Sequence, residues 1–498
     1  MMRSVFFCLI VLFFSSCAAT KNYQPTKKYP KATLQKELDL LKTTLEANHP
    51  SLYWYNTKDS IDAAFSYYGN QLEDSMTEVR YAWKIITPII AAIKCGHSSV
   101  SYSKGYTRWV KGKTFTSFPL QVAAWGDTVV VRSNLIKKDS VFKKGVLLTS
   151  INGRSTNQIK NDFFKHLPTD GYSDNINYLR ISSSFPRYHN NEYGLSKKYQ
   201  IGYIDSLTGE NTFAEIPVFE IKKDSTKKKD SSLVKKQEKI KGPTRLERLE
   251  QYRKFTIDST GTYGTIDLNG FTKGGLRRFF RRCFKELEQK NIQHLIIDLR
   301  SNGGGRVDLS TLLTKYISRT SFRVADTAFM KTKFLRTNRK LISNSFFINL
   351  GLLFATKKQA DGNYHAGRVE RKVYQPKKRH HFDGKVYVLV AGGSFSAATV
   401  FANAIKGQKD ILLLGEETGG GWYGNNGLFI PNITMPHTKL RVRLPLYRIV
   451  QYNHNIATKG LGIIPDVVVP VTYENFMKNV DGKLKKAKDL ITDHKKLD

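Results

Sequence analysis

Apolar side chains recur along the first part of the chain with the spacing of helices. Leu34, Leu38, Leu41 and Leu45 fall at three- and four-residue steps, so a helix is expected from about Lys31. A second fits 59–72. A third starts after Ser75 with Thr77 as its cap and runs to Lys94, with Pro88 expected to kink it. The period changes over 118–163. Leu120-Gln121-Val122-Ala123 and Val129-Val130-Val131 read as strands, and the run ending Ile151-Asn152-Gly153 closes on a hairpin turn signal before an amphipathic helix near 157–164. From Gly261 onward strand and helix patterns alternate: strands over 262–268, 294–299, 385–391 and 411–414, and helices over 273–290, 308–317 and 395–406. Such alternation predicts a layered α/β domain. Within the less regular stretch 322–382, residues 341–355 are strongly apolar and are expected to be a core helix rather than an exposed binding face.

Composition narrows the choices. The 498 residues suggest two or three domains, and 40% hydrophobic with 12% aromatic residues argues against wholesale disorder. Four cysteines without a CxxC pair exclude a disulfide-stapled mini-fold and give no zinc-ribbon spacing. A net charge of +38 raises nucleic acid or an acidic surface as a partner. The first residues weigh against nucleic acid. Arg3, the apolar run Val5–Phe14 and Phe14-Ser15-Ser16-Cys17 resemble a bacterial lipoprotein signal, which implies export and lipidation at Cys17. The alternative is ordinary signal-peptide cleavage nearby. The lipoprotein reading predicts a cell-envelope protein anchored to a membrane and facing the periplasm or exterior. No nucleic-acid partner is then expected, and the sequence leaves the oligomeric state open.

The strand ending in Ile-Asn-Gly, followed by a helix, resembles a PDZ domain, a module that binds extended peptides by strand addition. Residues 222–254 carry 13 Lys/Arg against 5 Asp/Glu without apolar periodicity in their first half, as a solvated insertion would. The expected division is a lipoprotein-type signal peptide (1–17), a tether (18–30), an N-terminal helical region (31–105), a PDZ-like module with its extension (115–220), a basic insertion (221–254), an α/β core (255–475) and a basic C-terminal tail (476–498).

Two glycine-bearing loops follow buried strands. Asp298-Leu299-Arg300-Ser301-Asn302-Gly303-Gly304-Gly305 precedes a helix, where converging backbone N–H groups suit an anion or a developing oxyanion. It lacks the Lys of a phosphate loop. The second is Gly392-Gly393-Ser394-Phe395-Ser396-Ala397-Ala398-Thr399, where a serine at the helix start could act as a nucleophile or merely cap the helix.

Together with Leu-Gly-Glu-Glu-Thr-Gly-Gly-Gly (414–421) and the closing Gly462-Ile463-Ile464-Pro465-Asp466, these loops resemble the C-terminal processing (tail-specific) and tricorn-core family of serine peptidases. The resemblance implies a multidomain α/β fold: an N-terminal helical region, a PDZ-like β-rich module and a layered, crotonase-like peptidase core. By position it implies Ser396 as nucleophile, with Ala397 and Gly304 or Gly305 supplying oxyanion N–H groups, each worth about 3–4 kcal/mol of barrier. The loop lysine of the tail-specific branch is absent, since Gly421 stands there. The tricorn-like branch uses an upstream His, and Cys95-Gly96-His97-Ser98 fits that segment, with His97 as general base. Cys95 itself is expected to be a buried structural thiol. A late Glu of that branch is replaced by Lys459, leaving Glu416, Glu417, His454 and Asn455 as substitutes for the orienting acid.

The expected function is an exported serine endopeptidase acting on peptides or unfolded proteins, with no metal and no organic cofactor. The alternative is a catalytically impaired protein that binds peptides or hydrophobic ligands on the same scaffold. A polyanion-binding role, resting on charge alone, ranks behind both.

Overall fold

The computed structural model describes residues 23–221, 244–452 and 457–495. The signal segment with Cys17, residues 222–243 of the basic stretch, and His454 with Asn455 lie outside the described residues. The N-terminal helices are Lys31–Asn48, Lys58–Gly69 and a continuous run made of Glu78–Tyr81, Ala82–Ile86 and Thr87–Ala92. Thr77 caps that run, its side chain accepting from Arg80 N. Ala82–Ile86 winds as a π-helix, and Pro88 enters in the first turn of the next α segment, where a missing N–H is tolerated.

This helical region is not self-contained. Leu34, Leu41, Ile86 and Ile90 share one core with Met330, Leu352, Met435 and Leu444 from the far end of the sequence. Strand Val100–Ser101 joins Arg441–Arg443 for the same reason. The expected tether ends early, because Lys28–Pro30 pairs with Ser75–Thr77.

The middle of the chain forms a β-rich module. Leu120–Trp125 and Thr128–Asn134 make a hairpin, and Leu148–Ile151, Arg154–Ser155, Lys198–Ile204 and Asn211–Pro217 make a four-stranded sheet. Phe118, Phe163, Phe185 and Tyr199 fill the space between them and helices Thr156–Phe164 and Asn175–Tyr193.

The main sheet has six strands in chain order: β1 (Arg253–Ile257), β2 (Tyr263–Leu268), β3 (His294–Asp298), β4 (Lys385–Val390), β5 (Ile411–Gly415) and β6 (Val467–Val468). β1 runs antiparallel to β2; every later pairing is parallel. β1 corrects the expected insertion, whose end belongs to the sheet, and helix Arg245–Glu250 precedes it. Side chains alternate across the strands. Leu295, Ile297, Val386, Val388 and Leu413 face α1 (Leu276–Gln289), α2 (Val307–Ile317) and α4 (Ala397–Ile405), each returning the chain from one parallel strand to the next. Ile296, Tyr387, Leu389 and Leu414 face the other way and are covered by Ala487 and Ile491 of α5 (Gly482–Lys495). The expected basic tail is therefore a docked helix.

A further expectation fails on α3 (Ser345–Ala355). Only Leu352 of this helix is buried in the shared core, while Phe346, Phe347, Leu350, Leu353 and Phe354 on its other side are exposed.

Candidate active site

Ser396 sits where parallel strands place functional groups, beyond the carboxyl ends of β3 and β4. The loops after these adjacent strands interlock: Phe395 N donates to Asn302 O at 3.0 Å, and Ser394 Oγ donates to Leu299 O at 2.8 Å. Ser394 is thus a structural tie. Ser396 differs. It occupies the N-cap position of α4 without a side-chain cap bond, at φ 56° and ψ −117°. Positive φ is strained for a residue with a Cβ and persists where the surroundings hold it. Gly304 does part of the holding: a Cβ there would lie 2.6 Å from Ser396 Cβ and 2.7 Å from Phe395 O, so only glycine lets the loops close.

Gly304 is not the free donor that the sequence suggested. Its N–H already donates to Asn302 Oδ1 at 3.0 Å. The N–H groups of Gly305 and Ala397 make no hydrogen bond among the described residues. They remain as the donors an oxyanion could use.

His97 arrives from the opposite end of the sequence. Its ring is 4% exposed and leans on Phe395 with centroids 4.7 Å apart. A Cβ built at Gly427 would stand 3.1 Å from His97 Nε2 and 3.1 Å from Ser396 Oγ, so imidazole and hydroxyl border one small space. Neither ring nitrogen makes a hydrogen bond among the described residues. Behind the ring lies Asp170, a residue that sequence reasoning missed. Its Oδ1 stands 3.5 Å from His97 Nδ1 and accepts from Gly96 N at 2.8 Å, while Oδ2 accepts from Gly421 N at 3.4 Å. The Pro168-Thr169-Asp170-Gly171 turn was its only signal.

The acids considered from sequence do other work. Glu416 pairs with Lys483 at 2.7 Å, and Glu417 Oε1 accepts from Gly462 N at 2.6 Å. Lys459 lies over the Tyr55 ring. Cys95 is buried and unpaired, and burial pushes its thiol up to about 12, which leaves it an inert thiol at neutral pH. Cys283 is also a free, buried thiol. Beside Ser396 and Ala397 opens a cavity of about 310 Å³ walled by Val324, Val369, Val400, Leu428 and Ile449, with Arg368 and Lys372 also contributing.

The histidine loop is braced from behind. His49 Nδ1 accepts from Ser51 N at 3.1 Å, so its Nε2 carries the proton and donates to Ser98 Oγ at 3.0 Å.

Residues 262–469, which hold both glycine loops and Ser396, match the model of peptidase family S41. This region is a peptidase family S41 domain. Mature CPAF is similar in fold, with a TM-score of 0.60 at 12% identity over 93% of this chain and 96% of that one. A CPAF point mutant gives 0.62 at 11% identity, again over 93% of this chain and 96% of that one. At such identity the likeness is one of fold, and it extends well beyond the S41 domain into the helical region and the β-rich module. No curated protein matches the chain.

Proposed function

We propose that this S41 protein is an exported serine endopeptidase in which Ser396 attacks the peptide carbonyl. The observation carrying the reading is the strained Ser396 sharing one space with His97, with the free N–H groups of Ala397 and Gly305 close by in sequence and fold. Ser396 Oγ bonds to the carbonyl carbon while its proton passes to His97 Nε2. The oxyanion is held by Ala397 and Gly305 N–H. The C–N bond then breaks, the amine leaves with the proton from His97, and water repeats the sequence on the acyl-enzyme. Asp170 is the positioning acid: it holds the Gly96–His97 loop and favours the imidazolium through Nδ1. For catalysis the ring closes on Ser396, a tightening common when substrate enters a site that is loose without it.

The apolar cavity beside the serine accommodates a hydrophobic substrate side chain. Export and lipid anchoring rest on the residue pattern around Cys17. The test is degradation of an unfolded protein such as reduced casein by the wild type, Ser396→Ala and His97→Ala. Cleavage should vanish in the first variant and fall steeply in the second. Equal cleavage by Ser396→Ala would overturn the reading, and no cleavage by a folded wild type would favour a ligand-binding scaffold.

A further inference from the structure

The surface around α3 combines two features of opposite character. Phe347 is 70% exposed and Phe354 91%, and with Phe346, Leu350 and Leu353 they recur at three- and four-residue steps along one helix. A contiguous stripe of exposed large apolar side chains is the kind of surface that marks an interaction site. Around it the chain is cationic. Residues 331–360 contain seven Lys/Arg and no Asp or Glu. Lys331, Lys333, Arg336 and Lys358 line a cleft of about 500 Å³. Arg336 and Lys358 form no salt bridge among the described residues. Asn349 of α3 locks the two features together, its Oδ1 accepting from Leu335 N at 2.8 Å and its Nδ2 donating to Leu335 O at 3.2 Å.

We propose that α3 and this cleft form a docking surface for an anionic lipid bilayer. The phenylalanine and leucine side chains enter the boundary between headgroups and acyl chains, and the cleft receives the phosphate of an anionic headgroup. Charge complementarity selects this occupant. A second copy meeting the same face would bring the two sets of cleft cations together. The helix lies in the interface and does not cross it: no helix among the described residues is long and apolar enough to span a membrane. The proposal is independent of the peptidase reading and of any lipid at Cys17.

The experiment uses the full chain carrying Cys17→Ser, floated with vesicles of phosphatidylethanolamine and phosphatidylglycerol or of phosphatidylcholine alone. Anionic vesicles should carry the protein and neutral ones much less. The double variant Phe347→Asp/Phe354→Asp alters only exposed side chains, and it should lose more than about tenfold in binding to anionic vesicles. Arg336→Gln/Lys358→Gln should weaken binding several-fold and lower its salt dependence. Unchanged binding in the phenylalanine variant, or equal flotation with both vesicle types, would overturn the proposal. So would sedimentation showing that Phe347→Asp/Phe354→Asp turns a dimer into a monomer without changing vesicle binding.

Discussion

Ser396 is set apart from Ser394, two residues earlier, by its backbone and by what its hydroxyl does not bind. Ser394 spends its hydroxyl on Leu299, whereas Ser396 is held at positive φ with no cap bond. This difference is invisible in sequence, where both are serines at a helix start; only the family resemblance singled out Ser396. Gly304 shows the same limit from the other side. The sequence offered it as an N–H donor, yet its role is to lack a Cβ. Gly304→Ala at φ 94° should therefore force the two loops apart, abolishing most of the activity and lowering Tm by several degrees. Asp170 reaches the site from a loop far from both His97 and Ser396, so no spacing could announce it. Asp170→Asn is expected to cut kcat by a factor of roughly 10² to 10⁴ with the fold intact by circular dichroism. His49 carries a pH prediction. Burial, with Arg448 nearby, pushes its imidazole down to about 3. An unfolded histidine takes up a proton near pH 6.5, so the stability that neutral His49 provides is complete above that value and is lost as pH falls toward about 3. Urea midpoints measured at about pH 7.5 and about pH 5 should drop across this interval, and His49→Gln should flatten the dependence.

The elements that were legible were those whose pattern was forced by burial. β3 and β4 are covered on both faces and read as unbroken apolar runs. α1 was legible because Phe279, Phe280, Phe284 and Leu287 share a side facing the sheet. α3 and α5 were misread for opposite reasons. An apolar helix looks like core until its surroundings are known, and a lysine-rich helix looks like a tail although Leu484, Ala487 and Ile491 line one face. Truncation after Asn479 would uncover Ile296, Tyr387, Leu389 and Leu414, and should yield aggregated protein or a large loss of Tm. The seam between the helical region and the β-rich module has its own test. Glu192 at the end of Asn175–Tyr193 accepts from Trp83 Nε1 at 2.6 Å and lies 3.1 Å from both His166 Nε2 and Lys84 Nζ. Burial opposes its ionisation, but hydrogen bonds from His166 and Trp83 prevail and hold the carboxyl at about 2. Its stabilisation is complete above pH 4.5 and is lost as pH falls toward about 2. Glu192→Gln should lower Tm by several degrees near neutral pH and remove this acid-sensitive part.

At the scale of the whole molecule, the site exists only when three distant stretches of chain assemble. His97 comes from the loop after the N-terminal helices, Asp170 from the loop between the two helices of the β-rich module, and Ser396 with Gly304 and Gly305 from the S41 domain. The shared core of Leu34, Ile86, Met435 and Leu444 ties the first to the last. Activity should therefore be lost together with global unfolding, in one transition rather than domain by domain. The central claim is that this assembly makes Ser396 a nucleophile. Incubation with a fluorophosphonate followed by peptide mass spectrometry tests it most directly. The account predicts a single phosphonylated residue, Ser396, with labelling abolished in Ser396→Ala and strongly slowed in His97→Ala. An adduct on Ser394 or on any other serine, or labelling that persists undiminished in Ser396→Ala, would contradict it.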